Sequence, residues 1–418
     1  MRFSSALAAS TLALGVSAKN YLGFNTGATF ADRSAKFKKD FKAEFETAAK
    51  LNGAPGTFNS FRIYTNIQAY SEEDPSEAFD AAVETGTNLL LGIWTSGTDS
   101  IQKELNALDK AIEKHGSKLT DLVIGVSIGS EDLYRNSATG VENEAGIGAD
   151  PKVIVNFIKE FKNNYKGSAI GKVPIGHVDT WDAWTNTTNS IVVDEVDWLG
   201  VDEYPYYESG KGNSIDNAGA LFKRAFDAVK GSSKGKPIWV TETGWPTQGP
   251  DWDEAVPSVK NARKYWVDVG CDQTFGEVPT FWYNIRDSNP DNKMQFAITD
   301  NLNTKAYFDL SCPEKDESTS TSADSSATKT KTSGGSPTST DDGDSDSTST
   351  FVSANPSSTS GSGSDDSSDN SNDEANSTDD SSSPSETADG DSAALSLKTL
   401  SVSTYAALAL VGGVMAFF

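Results

Sequence analysis

The chain has 418 residues, of which 60 are acidic and 35 are basic, and its formal net charge is -25. No stretch is rich in lysine and arginine, so the chain cannot neutralise a phosphate backbone, and we exclude nucleic acid as a partner. The acidic charge is concentrated in residues 315–392, which hold 17 acidic residues and three lysines. The remainder carries most of the hydrophobic residues, enough to bury a large core.

Residues 1–18 have the pattern of a secretory signal peptide. Arg2 precedes an apolar run at 6–16, and the run ends in the small residues Ser17 and Ala18. A buried N-terminal helix is the alternative, but the basic start and the small-residue exit favour a cleaved signal. We therefore expect a secreted protein whose mature chain begins at Lys19.

Residues 19–314 contain short, β-rich apolar runs that alternate with segments of helical periodicity. Eight runs are present, at 21–24, 61–64, 88–94, 122–128, 173–178, 196–201, 237–241 and 278–283. Helical patterns lie between most of them, at 43–51, 78–83, 101–112 and 153–161. Apolar strands alternating with helices are typical of a buried parallel sheet, and eight of them predict an α/β fold closed into a (β/α)8 TIM barrel.

An open doubly wound sheet is the alternative to the closed barrel. That fold binds phosphates with a glycine-rich loop after its first strand, and no such loop follows residues 21–24. The interval between the fifth and sixth runs, residues 179–195, is short for a long helix and is the weakest part of the barrel assignment.

Cys271 and Cys312 are the two cysteines of the chain. Because we expect secretion into an oxidising environment, a disulfide between them at the end of the barrel is the favoured interpretation, and two free buried thiols are the alternative. Asn186 and Asn376 each begin an Asn-X-Ser/Thr sequence and are expected N-glycosylation sites.

The C-terminal residues divide into a polar stretch and an apolar end. Residues 315–392 are dominated by Ser, Thr, Asp and Gly, which predicts a disordered, O-glycosylated acidic stalk. Residues 405–418 are apolar and uncharged, and they follow a polar spacer and a cluster of small residues around Gly390. That order is typical of a glycosylphosphatidylinositol (GPI) attachment signal. We expect attachment at Gly390, removal of 393–418, and a lipid anchor at the outer plasma membrane or the cell wall.

Carboxylates are the best candidates for catalysis. His115 and His177 are the two histidines of the chain, which excludes a histidine-rich metal site and leaves little freedom for a Ser-His-Asp triad, so we expect no metal or other cofactor. Reactive groups of (β/α)8 barrels follow the carboxyl ends of strands. Glu131 follows the fourth run and Glu242 follows the seventh, so their carboxyl groups face each other across the barrel mouth. Three further carboxylates end runs: Asp179, Asp202 and Glu203.

These residues lie in motifs that resemble glycoside hydrolase family 17, the β-1,3-glucanases, in its fungal cell-wall branch. The motifs are Glu242-Thr243-Gly244-Trp245-Pro246, Phe61-Arg62-Ile63-Tyr64, Ile128-Gly129-Ser130-Glu131 and Tyr204-Pro205-Tyr206. The resemblance extends over residues 19–312. Ser130 stands where the family usually has Asn, which leaves the contact to the sugar 2-hydroxyl open. Asp202 and Glu203 stand where plant members have neutral residues, and the role of this extra charge is open too.

The resemblance implies a retaining mechanism, with Glu131 as the acid/base and Glu242 as the nucleophile. In such enzymes two carboxyl groups about 5 to 5.5 Å apart form a covalent glycosyl-enzyme, which water then hydrolyses. Glu242 must stay ionised, and we expect Tyr204 to donate a hydrogen bond to it. Glu131 must hold a proton, which requires burial and the nearby charge of Glu242 to raise its pKa.

Aromatic and polar residues at the strand ends are expected to bind the sugar rings, because flat faces stack on pyranoses while polar neighbours meet the hydroxyls. The expected substrate-binding residues are Tyr64, Trp94, Ser130, Asp179, Tyr204, Trp245 and Trp282. Trp181 has a similar position. Arg62 is as compatible with an ion pair beneath the site as with substrate contact, and Asn284 and Arg286 are weaker candidates for the rim.

The sequence therefore predicts a secreted, surface-anchored and monomeric enzyme that cuts β-1,3-glucan of the cell wall internally. A glucanosyltransferase is the second interpretation, since it would use the same two carboxylates and differ in whether water or a sugar resolves the intermediate. A non-catalytic glucan-binding mannoprotein is the third. Retention of both Glu131 and Glu242 argues against a pure binder, which gains nothing from two carboxylates facing one bond.

Overall fold

The computed structural model describes residues 20–314 of the chain. Five of the features expected from the sequence lie outside the described residues: the signal peptide at 1–18, the stalk at 315–392, Asn376, Gly390 and the GPI signal at 393–418. Within the described part, every helix is too short or too polar to cross a membrane.

Eight parallel strands form a closed barrel, in which each strand pairs with the next and β8 pairs with β1. The strands are β1 Leu22–Thr26, β2 Ser60–Ile63, β3 Asn88–Ile93, β4 Val123–Ser130, β5 Ile175–Thr180, β6 Trp198–Asp202, β7 Ile238–Thr243 and β8 Thr280–Trp282. This topology confirms the (β/α)8 barrel, and each strand overlaps one of the eight predicted runs. The strands are buried almost throughout, because helices cover their outer face and side chains fill the interior.

Eleven α-helices connect the strands in the described part. They are α1 Lys38–Ala48, α2 Ala78–Thr85, α3 Gln102–His115, α4 Ser117–Thr120, α5 Asp132–Arg135, α6 Ala138–Glu142, α7 Pro151–Asn164, α8 Trp181–Thr185, α9 Ser190–Glu195, α10 Ile215–Ser232 and α11 Val259–Tyr265. Short 3-10 helices at Ile170–Lys172, Thr187–Asn189 and Pro205–Tyr207 and a π-helix at Trp266–Thr274 complete the set. The short interval between β5 and β6 holds two short helices, α8 and α9, in place of one long helix.

Helix α7 shows how the sequence produces these elements. Its buried residues Ile154, Phe157, Ile158 and Phe161 recur at the spacing that places side chains on one face of a helix, and that face packs on the barrel. Asp150 accepts a hydrogen bond from the backbone N–H of Lys152, so one of the otherwise unpaired donors of the first turn is satisfied.

The barrel interior is filled by a cluster that is separate from the larger core between the strands and the helices. It consists of Leu90, Ile124, Val178, Trp198, Trp239 and Phe281. Trp198 and Trp239 stack with their ring centroids 4.3 Å apart. Leu89 and Leu91 belong to the outer core while Leu90 belongs to the inner cluster, as the alternation of side chains along a strand requires. The packed interior leaves only the barrel mouth for a site.

A disulfide bond joins Cys271 of the π-helix to Cys312, whose Cα atoms lie 5.4 Å apart. It therefore ties the last described segment to the helical layer, as expected from the sequence. Asn186 is exposed at the end of α8, where a glycan can be attached without disturbing the core.

Candidate active site

Two carboxylates lie at the carboxyl end of the barrel on strands that are far apart in the chain. Glu242 is in β7 and pairs in register with Asp202 of β6. Glu131 directly follows β4, and its backbone N–H donates to the Val178 carbonyl at 2.8 Å. Both side chains are fully buried, and the charge of Glu242 acts on the carboxyl group of Glu131. The two carboxyl groups therefore belong to one site.

Glu242 is surrounded by hydrogen-bond donors. Its Oε1 accepts from Arg62 Nη1 and from the Tyr64 hydroxyl, both at 2.7 Å, and its Oε2 accepts from the Tyr204 hydroxyl at 2.7 Å. The Tyr204 contact is the one expected from the sequence. Three donors of this kind fix the orientation of the buried Glu242 carboxyl group and suit it to accept hydrogen bonds through both oxygens.

The sequence left two interpretations of Arg62, an ion pair beneath the site or a contact with substrate. The structure shows the ion pair. Besides Glu242, its Nη1 lies 3.8 Å from Asp202 Oδ2, and its Nη2 donates to Ser130 Oγ at 2.9 Å. Burial disfavours the guanidinium charge, but the carboxylates of Asp202 and Glu242 raise the pKa of Arg62 above its ordinary value. Arg62 is thus a permanent cation that links three polar side chains of the barrel mouth.

Glu131 has the opposite electrostatic environment. Burial raises the pKa of its carboxyl group well above the ordinary range, Arg135 opposes this rise, and the charges of Asp202 and Glu242 add to it. Its Oε2 accepts from Arg135 Nη2 at 3.2 Å, whereas its Oε1 is buried without a hydrogen-bond partner. A carboxyl group in this environment holds its proton more tightly than usual, and Oε1 has no protein partner that competes for the proton.

The backbone around Glu131 is shaped by glycine and by short hydrogen bonds. Gly129 has a φ of 90°, and a Cβ at this position would lie 2.4 Å from Asp132 Oδ2 and 2.9 Å from His177 Cε1. Glu131 itself has a φ of 57°, in the left-handed region. Asp132 Oδ2 accepts from the backbone N–H of Ser130 at 2.8 Å. The chain therefore turns sharply at the end of β4 and directs Glu131 into the barrel mouth.

Asp202 is a third buried carboxyl group of the site, whose role the sequence left open. Its Oδ1 accepts from Thr241 Oγ1 at 2.6 Å, and its Oδ2 has no hydrogen-bond partner. Burial raises its pKa well above the ordinary value, the charge of Glu242 adds to the rise, and Arg62 opposes it. Asp202 adds a titratable group beside Glu242.

The structure brings together three of the expected substrate-binding residues around Glu242. Tyr64 and Tyr204 contact its carboxylate, and Ser130 reaches it through Arg62. Trp94 is half-buried, and its ring lies 5.5 Å from the guanidinium carbon of Arg135. Because Arg135 also contacts Glu131, Trp94 borders the Glu131 side of the site.

Trp245 and Trp282 pack against other groups of the fold, and their expected role in substrate binding stays a prediction. Trp282 is 2% exposed and packs on Trp266, with 4.8 Å between ring centroids. Trp245 is equally buried, and its Nε1 donates to the Val256 carbonyl at 3.1 Å. Both rings lie in the outer core, because a position at a strand end does not determine which side of the barrel a side chain faces.

Asp179 lies at the end of β5, as expected, and is held there by contacts with the fold. Its Oδ2 accepts from the Leu133 N–H at 2.9 Å and contacts His177 Nε2 at 3.0 Å, and its Oδ1 accepts from the N–H groups of Tyr134 and Thr180. These contacts engage both oxygens of Asp179, and its expected role in substrate binding stays a prediction.

A cavity of about 460 Å³ opens beside Tyr204 and Asp202. Aromatic rings form much of its wall, from Tyr134, Trp181, Tyr204, Tyr207 and Trp252. The Trp181 Nε1 donates to Glu208 Oε1 at 2.9 Å, and Lys211 Nζ lies 4.8 Å from the centre of the Trp181 ring. This combination of flat apolar faces and polar groups is the one that suits pyranose rings.

Three of these wall residues, Tyr134, Tyr207 and Trp252, were not identified from the sequence. Tyr207 follows Tyr204-Pro205-Tyr206 at the end of β6, so its position in the sequence could have identified it. Trp252 lies in a loop after β7, and only the fold brings it to the cavity. Arg286, expected at the rim of the site, forms an ion pair with Glu44, in which Arg286 Nη1 lies 3.6 Å from Glu44 Oε1.

Among residues 20–314, no group of three or more His, Cys, Asp or Glu side chains is arranged to hold a metal ion. The described site therefore consists of carboxyl groups, hydroxyl groups, two guanidinium groups and aromatic rings.

A closed (β/α)8 barrel with two buried carboxyl groups at the ends of β4 and β7, in different surroundings, is the arrangement of a glycosidase. The family model for the BtgE/BtgC glycoside hydrolase domain matches residues 26–299, a range that includes both Glu131 and Glu242. The chain belongs to this family and is a glycoside hydrolase.

Relatives named as glucan endo-1,3-beta-glucosidases share nearly half of their aligned residues with the chain. The Aspergillus niger protein is 47% identical over 314 residues, which cover 75% of this chain and 68% of the relative. The Aspergillus oryzae protein is 47% identical over 308 residues, which cover 73% of this chain and 66% of the relative. The chain thus spans about two thirds of the length of these relatives.

Solved structures with the same fold include a glycoside hydrolase family 17 β-1,3-glucanosyltransferase from Rhizomucor miehei. It is 26% identical, with a TM-score of 0.54, and the match covers 68% of this chain and 98% of that one. An endo-laminarinase from Formosa has a TM-score of 0.53 at 15% identity, covering 66% of this chain and 81% of that one, and shares the fold.

Proposed function

We propose that the chain is an endo-acting, retaining glucan endo-1,3-β-glucosidase that hydrolyses β-1,3-glucan. The observation that carries the proposal is the pair of buried carboxyl groups in different surroundings. Glu242 accepts three strong hydrogen bonds, as a nucleophilic carboxylate requires, while burial and neighbouring charges raise the pKa of Glu131, as a proton donor requires. The relatives named as glucan endo-1,3-beta-glucosidases support the choice of glucan as substrate.

In the first step, a Glu242 oxygen attacks the anomeric carbon and the glycosidic C–O bond breaks. Glu131 transfers its proton to the leaving oxygen, so the departing chain leaves as a neutral alcohol and a glycosyl ester remains on Glu242. Arg62, Tyr64 and Tyr204 hold the carboxylate of Glu242 in one orientation before the attack. Such positioning lowers the entropic part of the barrier.

In the second step, Glu131 acts as the base. Once Glu242 is esterified its negative charge is gone, and one cause of the raised pKa of Glu131 is removed. Arg135 then favours the ionised form of Glu131, which can take a proton from water. The water oxygen bonds to the anomeric carbon, the ester bond breaks, and Glu242 is released as a carboxylate.

The aromatic cavity beside Tyr204 favours a polymer over a single small sugar as the substrate. Trp181, Tyr207 and Trp252 can stack on successive rings on one side of the reacting bond, while Trp94 borders the other carboxyl group. Contacts remote from the reacting bond are what an enzyme uses to position a long substrate.

A β-1,3-glucanosyltransferase is the second candidate function. The specific observation that favours it is the match to the Rhizomucor miehei glucanosyltransferase. The same two carboxyl groups would serve, and a sugar hydroxyl bound in the aromatic cavity would replace water as the acceptor in the second step.

We further propose that the protein is secreted and held at the cell surface by a GPI anchor, where its substrate is cell-wall glucan. The support is the sequence pattern of residues 1–18 and 393–418 and the acidic, Ser/Thr-rich stretch between the enzyme and the anchor signal. Release of the protein from intact cells by a phosphatidylinositol-specific phospholipase would support the anchor, and unchanged retention would contradict it.

The activity is tested by incubating the full secreted chain with a reduced β-1,3-oligosaccharide of defined length and analysing the products by mass spectrometry. We expect shorter chains, with none formed by Glu131→Gln. Chains longer than the starting material would establish the transferase, and no product from the unmodified chain would overturn both. A mechanism-based fluorosugar should label the unmodified chain, whereas labelling of Glu242→Gln at the wild-type level would exclude Glu242 as the nucleophile.

A further inference from the structure

His177 lies in β5 directly beneath the turn that carries Glu131, and it is fully buried. Its Nδ1 lies 2.6 Å from the carbonyl oxygen of Ile128, and its Nε2 lies 3.0 Å from Asp179 Oδ2. The steps described above do not use this ring. The hydrogen-bond partners of the ring determine its charge, and they connect it to Glu131, the proposed acid/base.

The protonation state of the ring follows from its two partners. A carbonyl oxygen can only accept a hydrogen bond, so Nδ1 carries a hydrogen and donates it to Ile128. Asp179 accepts hydrogen bonds from three backbone N–H groups, two of them at Oδ1 and one at Oδ2, so a donor from the ring completes the set around its two oxygens. Nε2 must then donate as well. A ring that donates from both nitrogens is an imidazolium cation.

Through its two partners, the ring is connected to the chain on both sides of Glu131. Ile128 is the last residue before Gly129-Ser130-Glu131, and Asp179 accepts the N–H groups of Leu133 and Tyr134, just after Glu131. The His177 ring also packs against Gly129, where any side chain would collide with it. The ring therefore bridges both ends of the turn that holds Glu131 in its left-handed conformation.

We propose that His177 is a positioning residue, a permanently charged imidazolium that fixes the backbone of Glu131 and balances the buried charge of Asp179. The inference rests on the proposed role of Glu131 as the acid/base. Through Ile128 and Asp179 the imidazolium sets where the Glu131 carboxyl group points. Through its charge it limits how strongly the Asp179 carboxylate raises the pKa of Glu131.

The surroundings of the ring favour the cation. On its own strand Asp179 faces it, and beyond β4 the carboxylate of Asp132 acts on it. From α8 the Trp184 ring meets it edge-on at 5.5 Å, and in β6 its register partner is Leu199, so neither of these two residues brings a charge to the ring. The same two elements also hold Asp182 and Asp202. Burial by itself lowers the pKa of an imidazole, but the contacts with Asp179, Asp132 and Ile128 raise the pKa of His177 above its ordinary value.

The first test measures the ring directly in the full, folded chain. His115 and His177 are the two histidines, so ¹⁵N NMR of histidine-labelled protein gives two sets of ring signals, and the His115→Asn variant assigns them. We expect both ring nitrogens of His177 to stay protonated from about pH 5 to about pH 8. A His177 signal with one unprotonated nitrogen near neutral pH would overturn the proposal, whatever the activity of the enzyme.

The second test uses His177→Asn, a neutral residue that can still donate one hydrogen bond. We expect kcat to fall roughly tenfold to hundredfold with little change in KM, since the reacting groups are misaligned while the substrate contacts remain. The alkaline limb of the kcat profile should move to higher pH, because the unbalanced charge of Asp179 raises the pKa of Glu131. Rates are normalised to the fraction of enzyme that a fluorosugar labels.

A purely structural role would lower the folded fraction and leave the pH profile of the remaining enzyme unchanged. If His177→Asn gives that result, or if its labelled fraction has the wild-type kcat, the positioning role of His177 is excluded. If the variant does not fold, the NMR measurement on the unmodified chain decides. If the wild-type protein shows no glucanase activity, the proposed function is contradicted, but the protonation of the His177 ring can still be measured.

Discussion

The hydroxyl group of Tyr204 donates a hydrogen bond of 2.7 Å to Oε2 of Glu242. Tyr204 follows β6, whereas the two donors to Oε1, Arg62 and Tyr64, come from the β2 region, so the carboxylate is held from two sides of the barrel. These donors fix the carboxyl group of Glu242, the proposed nucleophile, in one orientation although it is fully buried.

Replacement of Tyr204 by Phe should remove this support. A hydrogen bond to a charged group contributes about 1.5 to 3 kcal/mol, so kcat/KM should fall roughly tenfold to hundredfold. Tyr165→Phe is the matched control, because Tyr165 also donates to a carboxylate, Asp109 at 2.8 Å, but between helices α3 and α7. Steady-state kinetics on a soluble β-1,3-glucan measures both, and equal activities of the two variants would contradict the role of Tyr204.

Asp202 should set the alkaline limit of activity through its charge. The pKa of Asp202 is itself raised, but whenever Asp202 ionises its charge raises the pKa of Glu131. Asp202→Asn removes that charge, so the pKa of Glu131 should fall and Glu131 should lose its proton at a lower pH than in the wild type. The alkaline limb of the kcat/KM profile then moves to lower pH. Asp227→Asn, at an exposed position on α10, should leave the limb in place. An unchanged or upward-moving limb in Asp202→Asn would show that Asp202 does not act on Glu131.

Glu104 should make stability depend on pH. It is buried in α3, and burial raises its pKa from 4.5 to about 7, although Thr65 and Asn66 donate hydrogen bonds that oppose the rise. Since the folded state binds this proton more tightly, the contribution to stability is fully present below the unfolded pKa and is lost as the pH rises through about 7. The free energy of unfolding should fall by roughly 3 kcal/mol over that window.

Urea unfolding at several pH values, compared between the wild type and Glu104→Gln, measures this contribution. The variant cannot ionise at this position, so the difference between the two curves isolates Glu104. Glu113→Gln, at an exposed position of the same helix, should follow the wild type. A constant difference between wild type and Glu104→Gln at all pH values would contradict the prediction.

The disulfide should stabilise the fold without taking part in the reaction. It closes a loop between residues separated by 41 positions, and a loop of that size contributes about 4 kcal/mol to the free energy of unfolding. The double variant Cys271→Ser, Cys312→Ser should lose about this much in denaturant unfolding. Its kcat/KM should match the wild type well below the unfolding midpoint, and a large loss of activity there would show that the bond shapes the site.

Much of the fold was predictable because the strands of a parallel barrel are buried on both faces. The resulting apolar runs were visible in the sequence, and the closed barrel confirmed all eight. The boundaries differ by a few residues, since the carboxyl ends of β4, β5 and β7 continue into polar residues such as Ser130, Thr180 and Thr243. Those polar ends are where the site is built.

The sequence by itself determined the barrel, the two cysteines that could pair, and the carboxylates at the ends of β4 and β7, because each depends on residue type and position along the chain. Only the tertiary structure decided which neighbours these residues have. Trp245 and Trp282 turned to the outer core, while Arg62, Tyr64 and Tyr204 met around Glu242. The direction of a side chain, the burial of a charge and the partners of His177 depend on contacts between strands distant in sequence, and no local pattern encodes them.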